Sequence, residues 1–118
     1  HWRSIAIAAC EQCGRNRVPP VAPVATLEAW LALRAGRGEG ALQLLLSPGA
    51  DTRLRDVPRP GSSAITLLAG PEGGFTPEEE ARARRSGFLP VQLGPRVLRT
   101  ETAAVAALAA MQALWGDF

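Results

Sequence analysis

Three glycine-bearing stretches hold most of the chemical potential of this sequence: Ser47-Pro48-Gly49, Gly70-Pro71-Glu72-Gly73-Gly74, and the longer run from Gly94 through Pro95, Arg96, Val97, Leu98, Arg99, Thr100 and Glu101 to Thr102. Glycine lets a backbone approach a ligand closely and present bare amide and carbonyl groups to it. The same glycines also suit plain tight turns, and spacing alone does not separate the two uses. A phosphate cradle of a familiar kind is excluded, because neither G-x-x-x-x-G-K-[ST] nor G-x-G-x-x-G occurs. The carboxylates in these stretches, Glu72 and Glu101, could take a proton, and Arg96, Arg99 and the more distant Arg15 could hold phosphate or stabilise negative charge. Each has a structural alternative. Glu101 could simply complement a positive helix end, and Arg99 could be tied up in an ion pair with Glu72 or Glu101. A further pair, Cys10 and Cys13, has C-x-x-C spacing, which suits a redox couple or half a zinc site. With only two cysteines in the chain, His1, Asp and Glu would have to complete a metal shell, and no metal is expected.

The elements that must position these residues can be read from periodicity and stop signals. Trp2, Ile5, Ala6, Ala9, Cys10 and Cys13 recur at helical spacing before Gly14, which predicts a helix with one buried face. Pro19, Pro20 and Pro23 then enforce extended chain. A second helix should start on a Thr26 cap, run through Leu27, Trp30, Leu31 and Leu33 or Arg34, and stop in the glycines of 36–40. Ala41 to Leu46 has almost no polar interruption and predicts a strand buried on both faces, ended by Ser47-Pro48-Gly49. Residues 51–63 read as a surface connection. Ala64 to Ala69 predicts a second buried strand running straight into the Gly70 turn.

The helix that follows is the best specified of all: Thr76 as cap, Pro77 at the first position, Glu79 completing a Thr-x-x-Glu capping box. Glu78 to Glu80 lie at its positive end, Arg82, Arg84 and Arg85 at its negative end, and Gly87 closes it. Phe88 to Leu93 predicts a third strand, with Pro90 marking its start or a sheet edge. Strand, helix, strand in this order implies a parallel pair with a crossover, hence an α/β fold, a mostly parallel sheet with flanking helices. A last, Ala-rich helix is predicted over Thr100 to Trp115, with Val105, Leu108, Met111 or Gln112, and Trp115 on its buried stripe.

At 118 residues, 47% of them hydrophobic, the chain suffices for one core and one domain. All 13 basic residues are Arg, with net charge +2; Arg favours bidentate phosphate contact, so an RNA partner is permitted, though compositional bias would give the same count. Aromatic residues make up only 5%, which argues against a base-stacking platform for single strands. No apolar run reaches the roughly 20 residues needed to span a bilayer. A cytoplasmic protein with no membrane partner is the expectation. Because the chain opens on His1 already in a helical pattern, a preceding segment is expected too.

The stretches Leu68 to Phe75 and Leu93 to Ala103, together with Ala8 to Pro19, resemble in sequence and in order the signature segments of the SPOUT-superfamily methyltransferases that modify ring nitrogen 3 of a uridine in bacterial 16S ribosomal RNA. The similarity extends over nearly the whole chain. It implies a parallel sheet with a C-terminal trefoil knot, bent S-adenosylmethionine (SAM) in the knot, and a homodimer with its active site at the subunit interface. Residues 1–118 would be a partial SPOUT domain, lacking an N-terminal PUA-like RNA-binding domain and the first SPOUT strand and helix. The cofactor would be held by Leu46, Gly70, Pro71, Glu72, Gly73, Gly74, Leu93, Gly94, Val97, Leu98 and Thr102. Arg99, Glu101, Glu72 and Arg15 would serve the chemistry, with 16S ribosomal RNA or the small subunit as partner. Within the same superfamily, a transfer RNA ribose or guanine methyltransferase is the rival reading. From other classes the rivals are a non-catalytic RNA-binding module and, more distantly, a thiol oxidoreductase.

Overall fold

The structure is a computed structural model that describes residues 1–34, 41–61 and 64–118. Its centre is β1 (Leu42–Leu46), where leucines on successive positions must point to opposite faces of the sheet. Leu44 and Leu45 are both fully buried, yet they belong to different cores. Leu44 packs with Leu54, Val57, Val91, Ala107 and Met111; Leu45 packs with Leu31, Ala83 and Phe88. The expectation of a strand covered on both faces therefore holds, and one strand organises a three-layer α/β unit.

β1 lies in the middle of a three-stranded sheet of order β2-β1-β3, with β2 at Ile65–Leu68 and β3 at Leu89–Val91. Both neighbours run parallel to it, in the registers Leu44 to Leu67 and Leu46 to Val91. The strand, helix, strand unit in the second half is thus parallel as expected, but β2 and β3 are not partners of each other: the crossover passes over β1. Two further expectations are corrected. β2 is half-buried throughout because it is an edge strand. The segment 51–63 is not merely a surface connection, since a 3₁₀ turn at Leu54–Asp56 drives Leu54 and Val57 into the core. That segment also shields the β3 edge: Gln92 exchanges backbone hydrogen bonds with Thr52 and Leu54, each at 2.9 Å. Pro90, which has no N–H to donate, occurs on this edge strand.

Of the four α-helices among the described residues, three pack on the sheet. On one face lie α2 (Leu27–Arg34) and α3 (Pro77–Arg85), joined by an Arg82–Glu28 ion pair at 2.9 Å. Thr76 caps α3 as predicted, its hydroxyl accepting from Glu79 N at 3.1 Å while Glu79 Oε1 accepts from Thr76 N at 2.9 Å. Thr26 caps α2 in the same way, through Ala29 N at 3.1 Å. The glycines of 36–40, expected to stop α2, lie outside the described residues.

The opposite face is covered by α4 (Thr100–Trp115), whose span matches the expectation and whose orientation matches it at Met111 and Trp115 but not at Val105 and Leu108. Ala107 and Met111 are its buried residues, whereas Val105 and Leu108, expected inside, are 67% and 54% exposed. Ala107 and Met111 share a core with Leu44 and Val91, and Trp115 packs against it. α1 (Trp2–Cys13) ends where Gly14 adopts φ 79°, a left-handed cap suited to glycine. Its predicted buried face is not buried: only Cys10 is, while Trp2 and Ile5 are 63% and 49% exposed.

Candidate functional site

Parallel strands end on the same side of a sheet, so the segments following β1, β2 and β3 must converge there. They enclose a cavity of about 320 Å³. Leu46, Ser47 and Pro48 come from the end of β1, Ala69 to Phe75 from the turn after β2, and Val97, Leu98, Thr100 and Ala103 from the run that enters α4. A smaller recess of about 40 Å³ shares Leu46 to Pro48, Val97, Leu98 and Ala103 with it and adds Leu93, Gly94 and Arg96. Glycine-bearing and arginine-bearing turns thus stand side by side, separated in sequence but joined in one concavity.

Local geometry explains the glycines. A Cβ on Gly70 would lie 3.1 Å from the Phe75 ring, so the turn folds its own aromatic side chain back onto Gly70. Gly74 N closes this turn by donating to Pro71 O at 2.8 Å, with Gly74 at φ 74°. Gly94 has φ 133°, also outside the range L side chains favour.

Of the residues expected to hold a cofactor, Leu46, Gly70, Pro71, Glu72, Gly73, Gly74, Val97 and Leu98 line the larger cavity, and Leu93 and Gly94 line the recess. Thr102 does not belong with them. Helical spacing puts Thr100, Ala103 and Ala107 on the inward face of α4 and turns Thr102 away, exposed to solvent. Among the residues expected to serve chemistry, Glu72 lines the larger cavity and Arg96 the recess. Arg99 and Glu101 are exposed on either side of Thr100, and Arg15 is exposed just beyond α1. Among the described residues no ion pair joins Arg99 to Glu72 or Glu101. Its alternative reading as a partner in such a pair is therefore not what the structure contains.

Sequence reasoning overlooked Glu80, which lines the cavity and accepts a hydrogen bond from Ser47 Oγ at 3.1 Å. Within the run Glu78-Glu79-Glu80 it read as one more helix-start charge. The available signal was its spacing of three from Ala83, the fully buried residue of α3. Cys10 is buried and Cys13 exposed, both as free thiols; Cys10 Sγ lies 3.8 Å from Arg17 O, within the turn that leaves α1. Among the described residues no group of His, Cys, Asp and Glu is arranged to hold a metal, and no helix is long and apolar enough to cross a membrane.

The composition of the cavity wall, apolar side chains beside open backbone and two carboxylates, suits a small cationic or neutral organic ligand better than an anion. Its volume falls at the lower end of the range of about 300 to 1,000 Å³ usual for such sites.

Comparison with known proteins gives these features a context. The RNA methyltransferase domain family matches residues 1–112. A ribosomal RNA small subunit methyltransferase E from Buchnera aphidicola is 38% identical over 117 residues, which is 99% of this chain and 46% of that protein. The crystal structure of a ribosomal RNA small subunit methyltransferase E from Neisseria gonorrhoeae, bound to S-adenosyl methionine, superposes with a TM-score of 0.91 at 48% identity, covering 99% of this chain and 48% of that one. A putative methyltransferase from Legionella pneumophila, in complex with SAM, superposes with a TM-score of 0.86 at 44% identity, covering 99% and 46%. The chain spans about half the length of the curated relatives it matches.

Proposed function

We propose, from the premise that this chain belongs to the RNA methyltransferase domain family, that it is the cofactor-binding portion of an enzyme that methylates ring nitrogen 3 of a uridine in 16S ribosomal RNA. The observation that carries this reading is the shared cavity: the turn at Gly70 to Gly74 and the turn at Val97 and Leu98 line one wall. SAM, bound there, would supply an electrophilic methyl group. The backbone of the Gly70 turn and of residues 93–98 would hold it, with Leu46 and Leu98 against its apolar surfaces. Relatives of the same architecture carry SAM by their own description.

A uracil ring nitrogen is a weak nucleophile while protonated, so the site must favour the deprotonated ring. Glu72, an exposed carboxylate in the cavity wall, would receive that proton. Arg99 caps α4 one residue before the cavity-lining Thr100, from where its guanidinium would stabilise charge spreading onto the uracil oxygens. Glu101, exposed on the other side of Thr100, and Arg15 belong to the RNA-facing side in this reading.

The small ribosomal subunit or its 16S RNA is the partner, met in the cytoplasm. A PUA-like domain outside residues 1–118 captures it. Pairing of two copies is part of the same proposal, supported by apolar residues left outward on α1 and α4, Trp2, Ile5, Val105 and Leu108. So is a trefoil-knotted path for the C-terminal segment.

Calorimetry with SAM tests the reading. A single saturable site is expected, and no saturable heat would leave only a non-catalytic module. In the full-length enzyme, Arg99→Ala should abolish methyl transfer to the small subunit while SAM affinity stays nearly intact; wild-type turnover would remove Arg99 from the mechanism.

A further inference from the structure

Helical spacing offers Glu80 an ion-pair partner in Arg84, four residues on. Its carboxylate takes a different one. Oε1 accepts from the Ser47 hydroxyl at 3.1 Å, just past the end of β1. Among the described residues no ion pair engages Glu80. A neutral hydroxyl orients a carboxylate without cancelling its charge. Glu80 is also half-buried, and with Glu72 it supplies the charged side chains of the larger cavity's wall, which contains no Arg. The positive groups nearby are Arg96 in the small recess, Arg84 and Arg85 in an outer groove that Glu80 also lines, and the positive end of α4, which reaches the wall at Thr100.

Resting on the cofactor reading above, we infer that the Ser47–Glu80 pair is a charge-selective positioning element, which favours the cationic methyl donor over its demethylated product. During transfer the S–CH3 bond breaks, its electron pair stays on sulfur, and the methyl forms a new bond to the ring nitrogen. The donor is a sulfonium and the product, S-adenosylhomocysteine (SAH), a neutral thioether; the two otherwise share every recognition group. A fixed negative charge in the wall is therefore worth more to the donor than to the product. Between half-buried groups at an effective dielectric constant of about 20, with solvent screening discounted, the difference is on the order of tenfold in affinity. The pair thus helps the spent cofactor leave.

The test is to measure dissociation constants for SAM, SAH and sinefungin, an amine analogue that keeps the positive charge, on the wild-type chain and on Glu80→Gln. Gln retains the volume and an oxygen acceptor for Ser47 but not the charge. SAM and sinefungin affinities should fall together by about tenfold, and SAH affinity should change by less than about twofold. Glu80→Asp, which keeps the charge, should preserve the wild-type SAM-to-SAH ratio. Equal losses for SAM and SAH in Glu80→Gln, or a collapsed ratio in Glu80→Asp, would overturn charge selection while leaving the cofactor reading intact. A wild-type chain that binds none of the three ligands would overturn both.

Discussion

α1 and α4 are both apolar helices with well-defined ends, and they meet opposite fates. α4 lays Ala107 and Met111 against the central strand and brings Thr100 and Ala103 to the cavity. α1 buries only Cys10 and leaves Trp2 and Ile5 in solvent. Apolar spacing and a glycine stop suffice to form a helix, whereas burial needs a surface to receive it, and within this chain the sheet offers its surfaces to α2, α3 and α4. The sheet with α2, α3 and α4 consequently carries the cavity on a packed core, and the first dozen residues bury little against it.

This contrast can be broken by mutation. Leu44→Ala, at the point where β1 meets α4, should cost about 2 to 5 kcal/mol in denaturant unfolding. Gly70→Val comes next: its new side chain collides with the Phe75 ring, 3.1 Å from the position of a Cβ. It should cost about 1 to 3 kcal/mol and, in the same sample, abolish saturable SAM binding in calorimetry. Thr76→Ala removes one half of the capping box and should lower stability by about 1 kcal/mol in the same assay. Ile5→Ala should be the smallest effect, within about 0.5 kcal/mol in dilute solution. If Ile5→Ala destabilised as much as Leu44→Ala, α1 would be packed after all and the contrast would fail.

Where local chemistry decides, the structure was legible beforehand. The Thr76-x-x-Glu79 box, Pro77 at the first turn and the helix stop at Gly14 are all local to a few residues, and each occurs as read. The run Leu42 to Leu46 announced burial on both faces because nothing polar breaks it except Gln43, whose amide finds Ser86 O at 3.2 Å and the Arg34 guanidinium at 3.0 Å. Orientation was harder. α4 carries alanine on every face, so its hydrophobic pattern has almost no phase, and choosing Val105 and Leu108 as the inner stripe mistook size for burial. The resemblance set Thr102 beside the cofactor, whereas Thr100 and Ala103 are the α4 residues that line the cavity. Leu54 and Val57 were hidden among prolines and charges, although their spacing of three fits the single 3₁₀ turn that buries them. The site loops were legible as glycine-bearing turns, but that they meet depends on the strand order β2-β1-β3, which no local pattern encodes.

The central claim is that the turn after β2 and the run before α4 grip one ligand. Backbone amide shifts of the isotopically labelled chain, followed by NMR during titration with SAM, test it most directly. Residues 46–48, 69–75 and 97–103 should shift along one common saturation curve while residues 2–13 stay still. Shifts confined to a single one of those turns, or centred on α1, would contradict it.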